Sequence, residues 1–178
     1  FNNATSTITY VTVSYSDCGV GSATVTLGSD ATDGGNNGTC WSFPTPTGIT
    51  ISGIIYSDEG TTAITSGPTV RIKVAGAGDY SATANGSGAY SIGSVLVSSG
   101  SVVTVYLDGA TPKAVTVTRA ADDSSDIDDL DLYQNYLIVR HEDSGPVTNT
   151  DLATYDGDDD ADIPFTAGSG ELTMSSDT

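Results

Sequence analysis

The stretch TVRIKV, residues 69–74, alternates apolar and polar side chains and decides the fold class of this chain. Its three aliphatic side chains fall on one face of an extended strand, because successive side chains of a strand point to opposite faces. A second candidate is ITISGIIY, residues 49–56, which is rich in β-branched residues. No window places apolar residues at the spacing of a helix face. The sequence therefore predicts an all-β chain.

Short strand candidates continue along the middle of the chain, separated by turns rich in Gly, Asn and Ser. Besides the two stretches above, they are residues 79–84, 89–92, 95–97, 101–107 and 113–118. Regularly spaced short strands of this kind are typical of an antiparallel sandwich. We therefore predict a seven-stranded antiparallel β-sandwich over residues 49–121.

Three motifs in this region resemble the carboxypeptidase regulatory-like domains, also called transthyretin-like or CnaB-like prealbumin folds. They are ISGIIYSDEG at residues 51–60, GPTVRI at 67–72 and NGSGAYSI at 85–92. The resemblance implies a seven-stranded sandwich that serves as a spacer or adhesive module without chemistry of its own. Some members carry an isopeptide crosslink from a Lys in the first strand. Residues 49–56 contain no Lys, so we predict no such bond.

The two ends of the chain differ from its middle. Residues 1–43 resemble the last rungs of a right-handed parallel β-helix of secreted bacterial repeat proteins, through ITYVTVSYSD at 8–17 and DGGNNGTCWSF at 33–43. This implies a β-solenoid-like segment, and PTPTG at 44–48 is a stiff linker. Residues 122–178 form an acidic C-terminal β arm with one or two strands. We expect this arm to open another module or to pack elsewhere.

The charge of the chain restricts its partners. There are 23 acidic and 5 basic residues, a formal net charge of −18, and 16 of the acidic residues lie between 122 and 178. Nucleic acid is excluded as a partner because phosphate contacts need Lys and Arg. An anionic membrane surface is disfavoured for the same reason. The sequence has no apolar run of about 18 residues, so no membrane insertion is predicted.

Cys18 and Cys40 are the only cysteines. A disulfide, a pair of buried thiols and half of a metal site are the three alternatives. Zinc is poorly supported, because His141 is the only histidine and there is no second cysteine pair. We predict the disulfide, which is typical of secreted chains.

An acidic loop near the C-terminus is the strongest candidate for a metal site. Asp156, Asp158, Asp160 and Asp162 recur at alternate positions, and carboxylates spaced in this way can converge on a hard cation such as Ca²⁺. The spacing is similar to that of EF-hand and dockerin-like loops, but their Gly at the sixth position and Glu at the twelfth are missing. The alternative is a solvated acidic loop. For the acidic run at 122–129 we favour a solvated linker.

Catalytic signals are absent from the sequence, and the remaining candidates concern sugars. His141 lies in a polar turn, and there is no G-x-S-x-G motif, so we predict that the chain is not an enzyme. Trp41 and Phe43, with tyrosines 10 and 15, could stack on sugars, although core packing is the favoured reading. N-glycosylation sequons begin at Asn3, Asn37 and Asn85.

These observations favour a structural function. We expect a module of an extracellular surface, adhesive or filament-forming protein that assembles with copies of itself or neighbouring β-modules through β-strand contacts. The alternative is a carbohydrate-binding accessory module of a secreted enzyme. The expected location is extracellular or at the cell surface, and possible calcium is the one expected cofactor.

Overall fold

The computed structural model describes residues 12–16, 25–27, 31–43, 47–168 and 170–175. The described residues form an all-β protein with several sheets. The chain divides into two compact units, Phe1–Pro46 and Thr47–Thr178, and the division falls within the predicted linker. Within the described ranges, no helix is long and apolar enough to cross a bilayer.

The first unit is built from short strands that pair in parallel. They are β1 (Thr12–Val13), β2 (Val25–Thr26), β3 (Thr32–Asp33) and β4 (Trp41–Ser42). β1 pairs with β3, and β2 pairs with β4. A small core of Val13, Leu27 and Ala31 lies beside them, and the rings of Trp41 and Phe43 pack against it.

The described residues of the second unit form ten strands and one helical turn. They are β5 (Ile49–Tyr56), β6 (Thr69–Val74), β7 (Gly78–Thr83), β8 (Ala89–Val95), β9 (Val102–Asp108), β10 (Val115–Arg119), β11 (Leu132–Tyr133), β12 (Leu137–Val139), α1 (Asn149–Leu152), β13 (Phe165–Gly168) and β14 (Glu171–Met174). One sheet has the order β12-β10-β9-β6-β7, a second has the order β11-β5-β8, and β13 and β14 form a hairpin.

The main core contains the inward side chains of the larger two sheets. Burial alternates along both β5 and β6, as the apolar alternation of residues 69–74 predicted for β6, and Ile51, Ile55, Val70 and Ile72 are fully buried. Residues 49–121 supply six strands where seven were predicted. The predicted strand at 95–97 is the end of β8 and the following turn, because β8 continues through an irregular step at Ser94, whose φ is +59°.

A second core lies on the other face of the five-stranded sheet. Strand β9 is buried at six consecutive positions, and β10 at four. Such runs are typical of strands covered on both faces. The covering residues come from the C-terminal segment, and the cluster comprises Val102, Tyr106, Val115, Val117, Leu152, Ile163 and Phe165.

The acidic segment after residue 121 therefore differs from the predicted separate arm. β11 pairs in parallel with β5, and β12 pairs in parallel with β10, so the segment adds a strand to each large sheet. Ile127, Leu130 and Leu132 enter the main core. The physical reason is that these apolar side chains alternate with aspartates, so the segment can bury one face while its carboxylates stay at the edge.

Candidate functional site: aspartate-capped edges and an open edge

The edge of β5 is covered by residues 126–134, here called the acidic strap. Backbone hydrogen bonds run in both directions between strap and strand. Ser52 N donates to Ile127 O, Ile127 N donates to Thr50 O, and Leu130 N donates to Ser52 O, each at 2.9 Å. Residues 126–129 of the run that we expected to be a solvated linker therefore pair with β5.

Aspartate side chains complete the pairing where the strap backbone does not. Asp126 Oδ1 accepts from Thr50 N at 2.6 Å, and Asp131 Oδ1 accepts from Ile54 N at 2.7 Å. Asp128 Oδ1 accepts from the Ser52 hydroxyl at 2.8 Å. Charge-assisted bonds of this kind are stronger than neutral ones. The carboxylates of Asp126 and Asp131 therefore replace carbonyl groups of a regular neighbouring strand.

The close approach of the strap depends on a glycine in the middle of β5. A Cβ atom on Gly53 would lie 2.5 Å from Leu130 O, which is closer than real contacts allow. The same carbonyl accepts a hydrogen bond from the Tyr90 hydroxyl. Burial raises the pKa of Tyr90 well above its ordinary value, so this hydroxyl remains a donor.

The first edge of the C-terminal hairpin is capped by the predicted calcium loop. Gly157 N donates to Phe165 O at 2.7 Å, and Ala167 N donates to Asp156 Oδ2 at 2.8 Å. Asp156 is buried, and its Oδ1 accepts from Asp158 N at 2.9 Å. Asp156 therefore accepts a backbone N–H at the edge of β13, as Asp131 does at the edge of β5.

The later carboxylates of this loop have other partners. Asp160 Oδ2 accepts from the Tyr106 hydroxyl at 2.7 Å, and Asp162 Oδ2 accepts from Gly109 N at 2.7 Å. Burial and the bond to Asp160 raise the pKa of Tyr106. Burial alone would raise the pKa of Asp160, but hydrogen bonds from Asp162 N and Tyr106 outweigh it and lower that pKa.

The predicted calcium site is thus a set of aspartates with separate acceptor roles, and the side chain of Asp158 is exposed. Among the described residues, no group of three or more His, Cys, Asp or Glu side chains is arranged to hold a metal ion. Calcium binding stays a prediction. A thermal-shift titration with calcium, compared between the wild-type chain and Asp158→Ala, tests it, because a ligand of the folded state raises the melting temperature.

The second edge of the hairpin is open. Ser175 N donates to Pro164 O at 2.9 Å, which sets the register of the antiparallel pair. Bonded and non-bonded pairs alternate in such a ladder. The backbone groups of Leu172 and Met174 consequently face away from β13, and they have no hydrogen-bond partner among the described residues.

This open edge also carries apolar side chains. Leu172 lies opposite Ala167, and Met174 lies opposite Phe165, so all four side chains share one face of the hairpin. Phe165 is buried in the second core, whereas Leu172 and Met174 are 41% and 47% exposed. The two exposed side chains therefore extend the apolar face of that core beyond its covered part.

The cysteines and sequons predicted from the sequence are only partly described. Cys40 directly precedes β4, while Cys18 lies outside the described residues, so the disulfide stays a prediction. Asn3 also lies outside them. The Asn37 amide bonds to the backbone of β1 and to Asp33, and Asn85 lies in an exposed turn.

The aromatic candidates are dispersed. Trp41 and Phe43 pack against the small core of the first unit, Tyr15 is 80% exposed, and Tyr10 lies outside the described residues. The exposed His141 has its Nδ1 atom 2.6 Å from the Asp143 carbonyl oxygen.

The edge-capping aspartates were missed from the sequence, although a signal exists. Residues 126–132 read DIDDLDL, in which buried aliphatic residues are separated by one or two aspartates, and the extra position is taken up by Asp129 with φ +53°. That pattern indicates an edge segment with one buried face. No family model, curated protein or solved structure matches the chain, so the geometry described above carries the functional argument alone.

Proposed function

We propose that this chain is a structural module of an extracellular surface or filament-forming protein, and that it assembles by adding a strand of another copy to the open edge of β14. The single observation that carries the proposal is that the backbone groups of Leu172 and Met174 have no hydrogen-bond partner in the described part of the chain and lie beside half-exposed apolar side chains. A strand edge of this kind is a template for pairing with another chain.

Two other sheet edges near the acidic segment are paired, which supports β14 as the edge that takes up a strand. The acidic strap pairs with the edge of β5, and Asp156 with Gly157 pairs with the first edge of β13. Charged side chains at an edge also discourage pairing with foreign strands. The β14 edge instead presents Leu172 and Met174, so a docked strand would cover apolar surface as well as satisfy backbone groups.

Charge selects the partner segment. The C-terminal residues 122–178 carry 16 acidic side chains and one arginine, so pairing of β14 with the β14 of another copy would bring two strongly negative regions together. Residues 1–16 carry no charged side chain and contain β-branched runs. We therefore take the partner to be a strand from residues 1–46 of a second copy, which gives a head-to-tail contact that can propagate.

The first unit suits this role if it is read as solenoid rungs. Its strands pair in parallel as β1-β3 and β2-β4, and each two-stranded sheet has outer edges on which another strand can stack. The sandwich resembling a carboxypeptidase regulatory-like domain then acts as the spacer between successive contacts. In this reading the chain has no catalytic role.

A second candidate function is carbohydrate binding. The rings of Tyr56 and Tyr133 stack with centroids 5.4 Å apart and planes inclined by 14°, and Tyr136 nearby in sequence is 41% exposed. Aromatic faces of this kind can bind sugar rings. Glycan-array binding that Tyr136→Ala abolishes would favour this candidate.

Electron microscopy and light scattering of the isolated chain across concentration test the leading proposal. We expect linear particles for the wild-type chain and monomers for Leu172→Pro, because proline removes an outward N–H and is tolerated at an open edge. Leu96→Ala is the control, since it removes a 49% exposed apolar side chain outside the strands and keeps Leu96 N, which donates to the Tyr80 hydroxyl at 3.0 Å. A wild-type chain that stays monomeric at all concentrations contradicts the proposal.

A further inference from the structure

The side-chain amide of Asn37 is fully used in the fold. Its Nδ2 donates one hydrogen bond to Val13 O and another to Asp33 Oδ1, both at 2.7 Å. Its Oδ1 accepts from Ser16 N at 3.0 Å. An asparagine amide has two N–H donors. One of them holds the loop after β3 against β1, and the other bonds this loop to Asp33 in β3.

The side-chain amide of Asn85 is used differently. Asn85 lies in the exposed turn between β7 and β8, and its Oδ1 accepts from Ser87 N at 2.8 Å and from Ala89 N at 3.1 Å. Its Nδ2 has no partner among the described residues. A Cβ atom on Gly86 would have no heavy atom within 4 Å, so the space beside the turn is open.

We infer that Asn85 is an acceptor for an N-linked oligosaccharide in the folded chain and that Asn37 is not. In the transfer, the bond between the sugar C1 and the pyrophosphate oxygen of a lipid-linked oligosaccharide breaks, and a bond between C1 and Nδ2 forms. The Nδ2 proton leaves to a base of the transferase, and the lipid pyrophosphate departs.

The difference between the two sites follows from the donors that remain. A glycosylated asparagine keeps its Oδ1 and one N–H. Asn85 loses no hydrogen bond, because Oδ1 is the side-chain atom that bonds to the turn and its backbone bonds to Ala89 and Gly88 are unaffected. Asn37 would give up its bond to Val13 or to Asp33, so its modification requires local opening of the first unit. This inference does not depend on the proposed assembly.

The test uses a purified oligosaccharyltransferase with its lipid-linked oligosaccharide. The full chain, carrying Asn3→Gln to remove the third sequon, is compared with synthetic peptides of residues 31–43 and 79–92 that the same enzyme modifies. Glycopeptide mapping gives the rate at each asparagine. We expect Asn85 to react in the folded chain about as fast as in its peptide, and Asn37 about tenfold or more slower than in its peptide.

Two variants distinguish the role of Asn85 as a glycan acceptor from its role in holding the turn. Asn85→Asp retains the Oδ1 cap and removes the nucleophilic nitrogen, so the fold should persist while the glycan is lost. Ser87→Ala removes the hydroxyl that the sequon requires. Modification of Asn37 in the folded chain at its peptide rate, or an unreactive Asn85 in the folded chain, would overturn the inference.

Discussion

The carboxylate of Asp131 accepts a hydrogen bond from the backbone N–H of Ile54 at 2.7 Å, although the two residues are 77 positions apart. The bond attaches the acidic segment to β5, the first strand of the second unit. Asp156 makes the equivalent bond to Ala167 N in the C-terminal hairpin. Part of the acidity of this chain therefore has a structural use, which is to close sheet edges where no regular strand is available.

Removal of the Asp131 carboxylate should lower the free energy of unfolding of the second unit. In Asp131→Ala the Ile54 N–H loses its acceptor, and a hydrogen bond to a charged group contributes about 1.5–3 kcal/mol. Asp123→Ala is the matched control, because Asp123 is exposed and its side chain makes no hydrogen bond to the described residues. Urea unfolding should show that Asp131→Ala lowers the free energy of unfolding by that amount and that Asp123→Ala changes it little. Equal stabilities of the two variants would contradict the structural role.

Acidic pH should weaken the turn that follows β10. Hydrogen bonds, the largest from Ser124 N, lower the pKa of Asp122 from 3.8 to about 2. A group whose pKa is lowered by folding stabilises the folded state above its unfolded pKa, and this contribution is lost as the pH falls toward the folded pKa. The difference in urea midpoint between Asp122→Ala and Asp123→Ala should therefore narrow below about pH 4. A difference that stays constant down to about pH 3 would show that Asp122 is not the titrating group.

The Tyr106 hydroxyl should contribute to the second core. Tyr106 is fully buried, and its bond to Asp160 links β9 to the C-terminal segment. Tyr106→Phe should lower the free energy of unfolding by about 1.5–3 kcal/mol, which is the usual contribution of a hydrogen bond to a charged group. In the control Tyr56→Phe, the ring stacked on Tyr133 is retained and the lost hydroxyl has no hydrogen bond to the described residues. If calorimetry gives both variants the same melting temperature, the bond contributes nothing.

Assembly should strengthen with ionic strength. Each chain carries a formal charge of −18, so long-range repulsion opposes association. The Debye length falls from about 30 Å at 0.01 M salt to about 8 Å at 0.15 M. Sedimentation equilibrium should show tighter association at the higher salt concentration, and sucrose in place of salt should not reproduce the effect. Weaker association at higher salt would indicate a contact formed by opposite charges.

The sequence predicted the strands well where one face of a strand is buried. Strand β5 begins and ends where its β-branched residues predict, and β6 where its alternation of apolar residues predicts, and the burial of both alternates with period two. The positions of β11 and β12 could not be read in the same way. Both pair in parallel with strands far away in sequence, and local composition does not encode such a partner.

The candidate site was predicted only in part. The loop from Asp156 to Asp162 drew attention as a run of carboxylates, but composition does not distinguish a cation ligand from an acceptor of backbone N–H groups. That distinction depends on Ala167 and Gly109, which the fold brings to the loop. The open edge at Leu172 and Met174 depends on the hairpin register, which becomes evident only once β13 and β14 are paired.

Amide hydrogen exchange at the β14 edge tests the central claim most directly. In dilute solution the outward N–H groups of Leu172 and Met174 should exchange rapidly, while the inward N–H of Thr173 should be protected by β13. At concentrations where particles form, the account predicts protection of Leu172 and Met174 with no change at Thr173. Rapid exchange of Leu172 and Met174 in the assembled particles would contradict strand addition at this edge.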